Sequence, residues 1–147
     1  MANVMLDTNV YSDGSYRENV RRIPRLHISS VVIQELLVIT DREQQAALIR
    51  EFKEHLDAGT GLVPDHSDWM EVGKCLSRLH QTGVANFSKL SKDEVNLLVR
   101  DALISRTAIR ANALLITSDT NDFSKLKSVF KSLKFLSPAQ FFGLRQR

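Results

Sequence analysis

The sequence predicts an α/β fold, a three-layer α/β/α sandwich around a parallel sheet. Short apolar runs without helical periodicity, typical of buried strands, alternate along the chain with longer segments whose apolar residues recur at helical spacing. The 147 residues suit one domain, which we expect to span residues 1–147. A composition of 43% hydrophobic and 25% charged residues, with six Gly and three Pro, argues against disordered and fibrous classes.

Cysteine usage and hydropathy indicate where the protein is expected to work. The single cysteine, Cys75, cannot form an internal disulfide, which is consistent with a reducing compartment. No apolar stretch approaches the roughly 18 residues of a transmembrane helix, and the run from Met1 to Leu6 meets Asp7 before it could act as a signal sequence. We therefore expect a cytoplasmic protein that does not enter a membrane. The four histidines lack ligand spacing, so a structural zinc site is not expected.

The first half of the chain is predicted to alternate strands with helices. Asn3 to Leu6 is an apolar run stopped by Asp7, which indicates a buried strand ending at that aspartate. Ser29 or Ser30 is a suitable N-cap for the helix that follows. In order, we predict a strand over residues 3–6, loop and short helix over 9–24, a strand over 26–29, helices over 30–39 and about 42–56, and a weak strand at 62–63.

The second half begins with an amphipathic helix. Trp69, Val72 and Leu76 recur at i, i+3 and i+7, which predicts a helix that ends near Gly83 and places Trp69 and Cys75 in the core.

A capping box then predicts the longest helix, because Ser91 is followed three residues later by Glu94 and by an apolar face that continues to about Asn112. The remaining predictions are a buried strand over 114–116, a polar turn over 117–122, a helix over 123–130, a strand over 135–136 and a helical turn opened by Pro138.

Basic residues are concentrated towards the end of the chain, although the net charge is only +3. Residues 120–147 hold six basic side chains against one acidic one, Asp122. Such segregation suits a polyanionic partner, but a solvated helix face explains a single basic run equally well. We expect Arg145 and Arg147 to form a frayed tail.

Four acidic residues border or interrupt apolar runs, namely Asp7, Glu35, Asp101 and Asp119. Burying several carboxylates together is unfavourable unless a positive charge compensates them, and a divalent metal is the natural compensator. A set of oxygen ligands favours Mg²⁺ or Mn²⁺ over zinc. Such a site activates water for phosphodiester hydrolysis, so no side-chain nucleophile is required.

Four segments of the chain resemble, in order and rough spacing, the acidic motifs of PIN-domain ribonucleases. They are VMLDTN at residues 4–9, SSVVIQEL at 29–36, DALIS at 101–105 and TSDTNDF at 117–123. The resemblance implies an α/β/α sandwich that cleaves RNA endonucleolytically with Mg²⁺ or Mn²⁺. A chain that is little more than the domain resembles a VapC-type toxin, which implies an antitoxin partner and a homodimer.

The resemblance also assigns roles. Asp7 would be the central metal ligand, Glu35 and Asp101 would complete the ligand set, and Asp119 would bind a second metal or position water. Four polar residues match positions that orient the carboxylates or hold the substrate phosphate: Thr8, Asn9, Thr117 and Ser118.

Several charged residues have alternative roles. Asp122 is either a further acidic ligand or an anchor for the following helix, and Glu94 either reaches the cleft or only completes its capping box. Arg106 either contacts phosphate in the cleft or points to solvent at a subunit edge. Arg21 and Arg22 either follow an RNA backbone or belong to a solvated loop or an antitoxin contact.

Other functional classes fit the residues less well. A haloacid-dehalogenase-type phosphatase needs a second Asp at the position that Asn9 occupies, and a response-regulator receiver needs an acidic pair that is not evident. The remaining alternative is a catalytically silent domain of the same fold that binds RNA or a partner. Loss of an acidic position would be its signature, whereas this chain retains all four.

Overall fold

A computed structural model of the chain describes residues 2–144 and shows a five-stranded sheet flanked by eight α-helices. The predicted tail at Arg145 and Arg147 lies outside the described residues. None of the described helices is long and apolar enough to cross a membrane. The strands are β1 (Asn3–Leu6), β2 (Leu26–Ser29), β3 (Gly61–Leu62), β4 (Ala113–Ile116) and β5 (Phe135–Leu136). The helices are α1 (Thr8–Tyr11), α2 (Arg17–Arg21), α3 (Ser30–Val38), α4 (Arg42–Asp57), α5 (His66–Gln81), α6 (Lys92–Arg110), α7 (Thr120–Lys127) and α8 (Pro138–Phe142).

The sheet order is β3-β2-β1-β4-β5, and all neighbouring strands are parallel. The chain proceeds from β1 outwards to β3 and then returns to place β4 on the other side of β1. The order therefore reverses between β1 and β4, where Leu6 lies opposite Ile116. In open parallel sheets, ligands bind beyond the carboxyl ends of the strands at such a reversal.

The side chains of β1 alternate between two cores. Met5 packs with buried residues of α3, α5, α6 and α7, whereas Val4 and Leu6 pack on the opposite face with Val10 of α1 and Ile116 of β4. Partly buried residues of α2 and α8 cover this second core. The sheet thus lies between two helical layers, which confirms the predicted α/β/α sandwich.

Side-chain caps determine where the helices that carry acidic residues begin. Of the two serines considered for α3, Ser29 is the cap, and its hydroxyl accepts a hydrogen bond from the N–H of Val31. The prediction of a helix over residues 123–130 is wrong in its bounds, since α7 starts three residues earlier. The reason is that the Asp119 side chain caps α7 by accepting a hydrogen bond from the N–H of Asp122.

Trp69 is not in the core, contrary to the prediction, because its side chain is 52% exposed. The buried stripe of α5 runs instead through Asp68, Val72, Cys75 and Leu79. Neighbouring residues of a helix are turned about 100° from each other, so an inward Asp68 turns Trp69 towards solvent. Cys75 is buried as predicted.

The buried Asp68 joins α5 to α6 through two arginines. Arg106 Nε donates to Asp68 Oδ1 at 3.3 Å, and Arg110 Nη2 donates to Asp68 Oδ2. The Arg106 guanidinium also lies over the ring of Phe130, 5.8 Å from its centroid. The carboxylate of Asp68 therefore holds the Arg106 side chain between α5 and α6 in this structure.

Candidate metal centre

Five carboxyl groups converge at the carboxyl edge of the sheet, where the strand order reverses. Asp101 is at their centre, because its carboxyl group interacts electrostatically with each of the other four. The four acidic residues predicted from the sequence are thus brought together, and a fifth joins them. They are Asp7 after β1, Glu35 in α3, Asp101 in α6, Asp119 after β4 and Asp122 in α7.

Three of these carboxylates form a group of metal-ligand dimensions. One oxygen from each of Asp101, Asp119 and Asp122 lies within 4.8 Å of the other two. Asp122 was considered as a ligand or as a helix anchor, and its carboxyl group belongs to this group. It reaches the group because α7 begins at Thr120, which places Asp122 in the first helical turn beside its cap.

Asp7 is 5% exposed and is held by three hydrogen bonds. Its Oδ1 accepts from the backbone N–H of Thr8 at 2.8 Å. Its Oδ2 accepts from Asn9 Nδ2 at 3.2 Å and from Thr117 Oγ1 at 2.7 Å. The carboxyl group is therefore fixed in one orientation before any ligand binds.

Two side chains connect the ends of β1 and β4. The Thr117 hydroxyl, which is fully buried, donates to Asp7 and accepts from the backbone N–H of Asp119 at 3.0 Å. Asn9 donates to Asp7, and its Oδ1 accepts from the backbone N–H of Ser118 at 3.1 Å. Asn9 and Thr117 act through their side chains, whereas Ser118 acts through its backbone.

Proximity and burial raise the pKa of several of these carboxyl groups. For Asp101, burial and then the charges of Asp7 and Asp119 raise the pKa to about 8. Burial, partly offset by the Thr117 hydrogen bond, raises the pKa of Asp7. Burial and the nearby Asp7 raise the pKa of Glu35, while burial and Asp119 raise that of Asp122. Without a cation, the cluster is therefore partly protonated near neutral pH.

An unsatisfied oxygen shows that the cluster fits a divalent cation. Within the described part of the chain, Glu35 Oε1 is buried without a well-aligned hydrogen bond, and so is Thr8 Oγ1, although the Thr8 hydroxyl lies near enough to lower the pKa of Glu35. A buried acceptor without a donor is costly, and a cation would satisfy it. The donor set contains only oxygen, which suits Mg²⁺ or Mn²⁺.

The other predicted site residues lie at varying distances from the cluster. Glu94 completes its capping box and also lines a cavity of about 310 Å³ together with Asp122. Arg21 pairs with Glu18 of its own helix, and Arg22 is exposed at the end of that helix. Arg106 is held by Asp68, which does not belong to the cluster. The structure therefore brings neither Arg21 nor Arg106 to the five clustered carboxyl groups.

Comparisons with known proteins agree with this architecture. The sequence matches the PIN domain family over residues 4–129. No curated protein matches the sequence significantly. Similar solved structures include VapBC2 from Rickettsia felis bound to a DNA fragment of its promoter, with 21% identity, a TM-score of 0.56 and coverage of 91% of this chain and 97% of that one.

Two further structures have a similar fold. DNA-bound VapBC from Salmonella typhimurium has 19% identity, a TM-score of 0.61 and coverage of 93% of this chain and 98% of that one. FitAcB from Neisseria gonorrhoeae has 16% identity, a TM-score of 0.61 and coverage of 92% and 97%, respectively. At these identities the likeness shows a shared fold.

Proposed function

The chain belongs to the PIN domain family, and from its carboxylate cluster we propose that it is a metal-dependent endoribonuclease that hydrolyses RNA phosphodiester bonds. The observation that carries the proposal is the position of Asp101 among four other carboxyl groups. Such a cluster is unfavourable in the protein alone and becomes favourable once a divalent cation is bound. We place this activity in the cytoplasm.

The five carboxylates would have different roles in binding the metal. Asp101, Asp119 and Asp122 would hold a cation, with Asp7 and Glu35 beside them, and Mg²⁺ or Mn²⁺ bound there would supply the Lewis acidity that activates water and stabilises charge on the phosphate. In this proposal water is the nucleophile, and the residues of this chain bind and orient.

The proposal is tested by incubating purified protein with total cellular RNA and Mg²⁺ or Mn²⁺. We expect discrete products that disappear with EDTA. Discrete products show selectivity and provide the RNA ends to sequence. If folded protein produces no cleavage with either metal, the catalytically silent RNA- or partner-binding alternative replaces this proposal.

Metal binding is expected to stabilise the protein most at high pH. The folded-state pKa of Asp101, about 8, is above its usual value of 3.8. The folded protein therefore holds a proton that the unfolded chain has released, and the stability of the metal-free protein falls as pH rises from about 4 to 8. At 100 times its Kd, Mg²⁺ adds about 2.7 kcal/mol, or roughly 8 °C in Tm.

Calorimetry at about pH 5 and about pH 8, with and without Mg²⁺, measures this effect. We expect a larger Mg²⁺-dependent rise in Tm at the higher pH. An equal Mg²⁺-dependent rise in Tm at both pH values would show that the cation displaces no carboxyl proton.

Thr117→Val is expected to reduce cleavage about 10-fold to 100-fold, the range typical of residues that orient metal ligands. The change keeps the shape but removes the hydroxyl that joins Asp7 to the N–H of Asp119. The exposed Thr120 makes no such contact, so Thr120→Val is the matched control. A loss of Mg²⁺ affinity in titration calorimetry, with Thr120→Val unchanged, separates positioning from a general loss of stability.

We also propose that an antitoxin protein covers the site. The support is the similarity to VapBC structures and an apolar end of α3, where Val38 is 81% and Ile39 is 65% exposed beside Glu35. Co-expression with the product of an adjacent short reading frame should yield a complex that does not cleave RNA.

The homodimer implied by the resemblance stays a prediction, and light scattering of the purified protein tests it.

A further inference from the structure

A groove leads away from the carboxylate cluster along α3 and α6. It consists of two cavities, of about 290 Å³ and about 500 Å³, that share Gln34 and Arg100 in their walls. Thr8 and Glu35 line the smaller cavity, so the groove begins at the candidate metal centre. Trp69 lines the larger cavity, and we call the combined feature the Trp69 groove.

Trp69 presents an aromatic surface in this groove. It is the only tryptophan of the chain and is 52% exposed. Its neighbour Asp68 provides the inward contact of that helical turn, so the Trp69 ring is not required to close the core. Exposed aromatic rings beside polar groups are the surfaces on which unpaired bases stack.

Arg100 provides a positive charge between Trp69 and the carboxylates. It is exposed, and it has no hydrogen bond or ion pair with another residue of the described range 2–144. It lies close enough to lower the pKa of Glu35 electrostatically. An unpaired guanidinium at the junction of both cavities is suited to a phosphate that neighbours the one undergoing cleavage.

We propose that the Trp69 groove binds single-stranded RNA, with a base stacked on Trp69 and a backbone phosphate held by Arg100. The inference rests on the proposed function and extends it, because it names two side chains outside the carboxylate cluster, Trp69 and Arg100, that hold the RNA. Two observations favour RNA as the occupant: the groove is continuous with the carboxylate cluster, and the charge of Arg100 complements a phosphate.

The single tryptophan allows a direct test. Asp101→Asn in the full chain prevents cleavage, and the probe is a mixed-sequence single-stranded RNA of about 12 nucleotides, within the usual site sizes of such proteins. We expect the RNA to quench Trp69 fluorescence with saturation and to protect Trp69 from acrylamide. A duplex of the same sequence should do neither.

Substitutions identify the source of affinity. Trp69→Ala should weaken RNA binding about 5-fold to 150-fold, the range for loss of one stacked base, while Trp69→Phe keeps most of the affinity. Met70→Ala is the matched control, because Met70 is the next residue of α5 and is also 52% exposed. Arg100→Gln should lower the slope of log affinity against log salt by about 0.7, whereas Arg50→Gln on α4 should not change it.

Three outcomes would overturn the inference. RNA that is bound and cleaved without any change at Trp69 would leave the proposed nuclease intact but place its substrate elsewhere. Acrylamide protection that rises with protein concentration in the absence of RNA would assign the groove to a second copy of the chain. Equal binding of RNA by Trp69→Ala and Met70→Ala would exclude stacking.

Discussion

Asp101→Asn is expected to reduce metal-dependent RNA cleavage by at least about 100-fold and to raise the Tm of the metal-free protein. Loss of residues that only support a ligand costs 10-fold to 100-fold, so removal of the central carboxylate should cost more. The stability gain follows because Asp101, surrounded by four other carboxyl groups, must take up a proton when the metal-free chain folds above about pH 4, whereas an asparagine needs none.

Asp101 is a better test of the site than Asp7. The hydrogen bond that joins Ser105 to Asp101 is accepted by the backbone carbonyl of Asp101, not by its carboxyl group. An amide side chain at position 101 therefore breaks no described hydrogen bond. At Asp7, an amide would turn an NH₂ group towards either the N–H of Thr8 or the donor of Asn9.

The matched control is Asp93→Asn, an exposed aspartate in the first turn of the same helix. It should retain cleavage and Mg²⁺-dependent stabilisation. Full activity in folded Asp101→Asn would remove Asp101 from the metal centre and would refute the proposed ligand set.

Asp68→Asn is expected to destabilise the fold by about 3 kcal/mol, at the lower end of the range for breaking a buried ion pair. Asp68 is 1% exposed, and its carboxylate pairs with both Arg106 and Arg110. Arg106 would lose its described counter-charge, whereas Arg110 would keep only Asp65, at 3.5 Å. The effect is at the lower end because these arginine side chains are 23% and 37% exposed.

For a chain of this size, the loss corresponds to roughly 9 °C in Tm, which urea or thermal unfolding measures directly. Glu71→Gln removes an exposed ion pair with Lys74 on the same helix and should change stability by less than about 0.5 kcal/mol. A similarly small effect of Asp68→Asn would show that the two arginines are satisfied by solvent.

Much of the site could be predicted because its residues follow from the order of the elements. Asp7 directly follows β1 and Asp119 lies three residues after the end of β4; these strands are adjacent and parallel, and the carboxyl ends of such strands meet at one edge of the sheet. Glu35 and Asp101 lie on helices whose caps and apolar periodicity the sequence shows.

The sequence was less informative where one side chain decides between two local structures. The role of Asp122 was left open between an acidic ligand and a helix anchor, because the polar segment before Phe123 was interpreted as a turn, whereas Asp119 caps a helix there. Trp69 was predicted to be buried, but the buried residue of that helical turn is its neighbour Asp68. Asp68 pairs with arginines 38 and 42 residues away, and sequence spacing does not report such contacts.

The central place of β1 makes the site a late product of folding. The middle strand is synthesised before both of its neighbours, but one of them, β4, follows more than 100 residues later, and the Thr117 to Asp7 hydrogen bond spans 110 residues. Asp7 and Glu35 are therefore made early and acquire their partners only when the segment through Asp122 has emerged. At roughly 5 to 20 residues per second, the 115 residues between Asp7 and Asp122 take roughly 6 to 23 seconds to synthesise, and the carboxylate cluster is incomplete during that time.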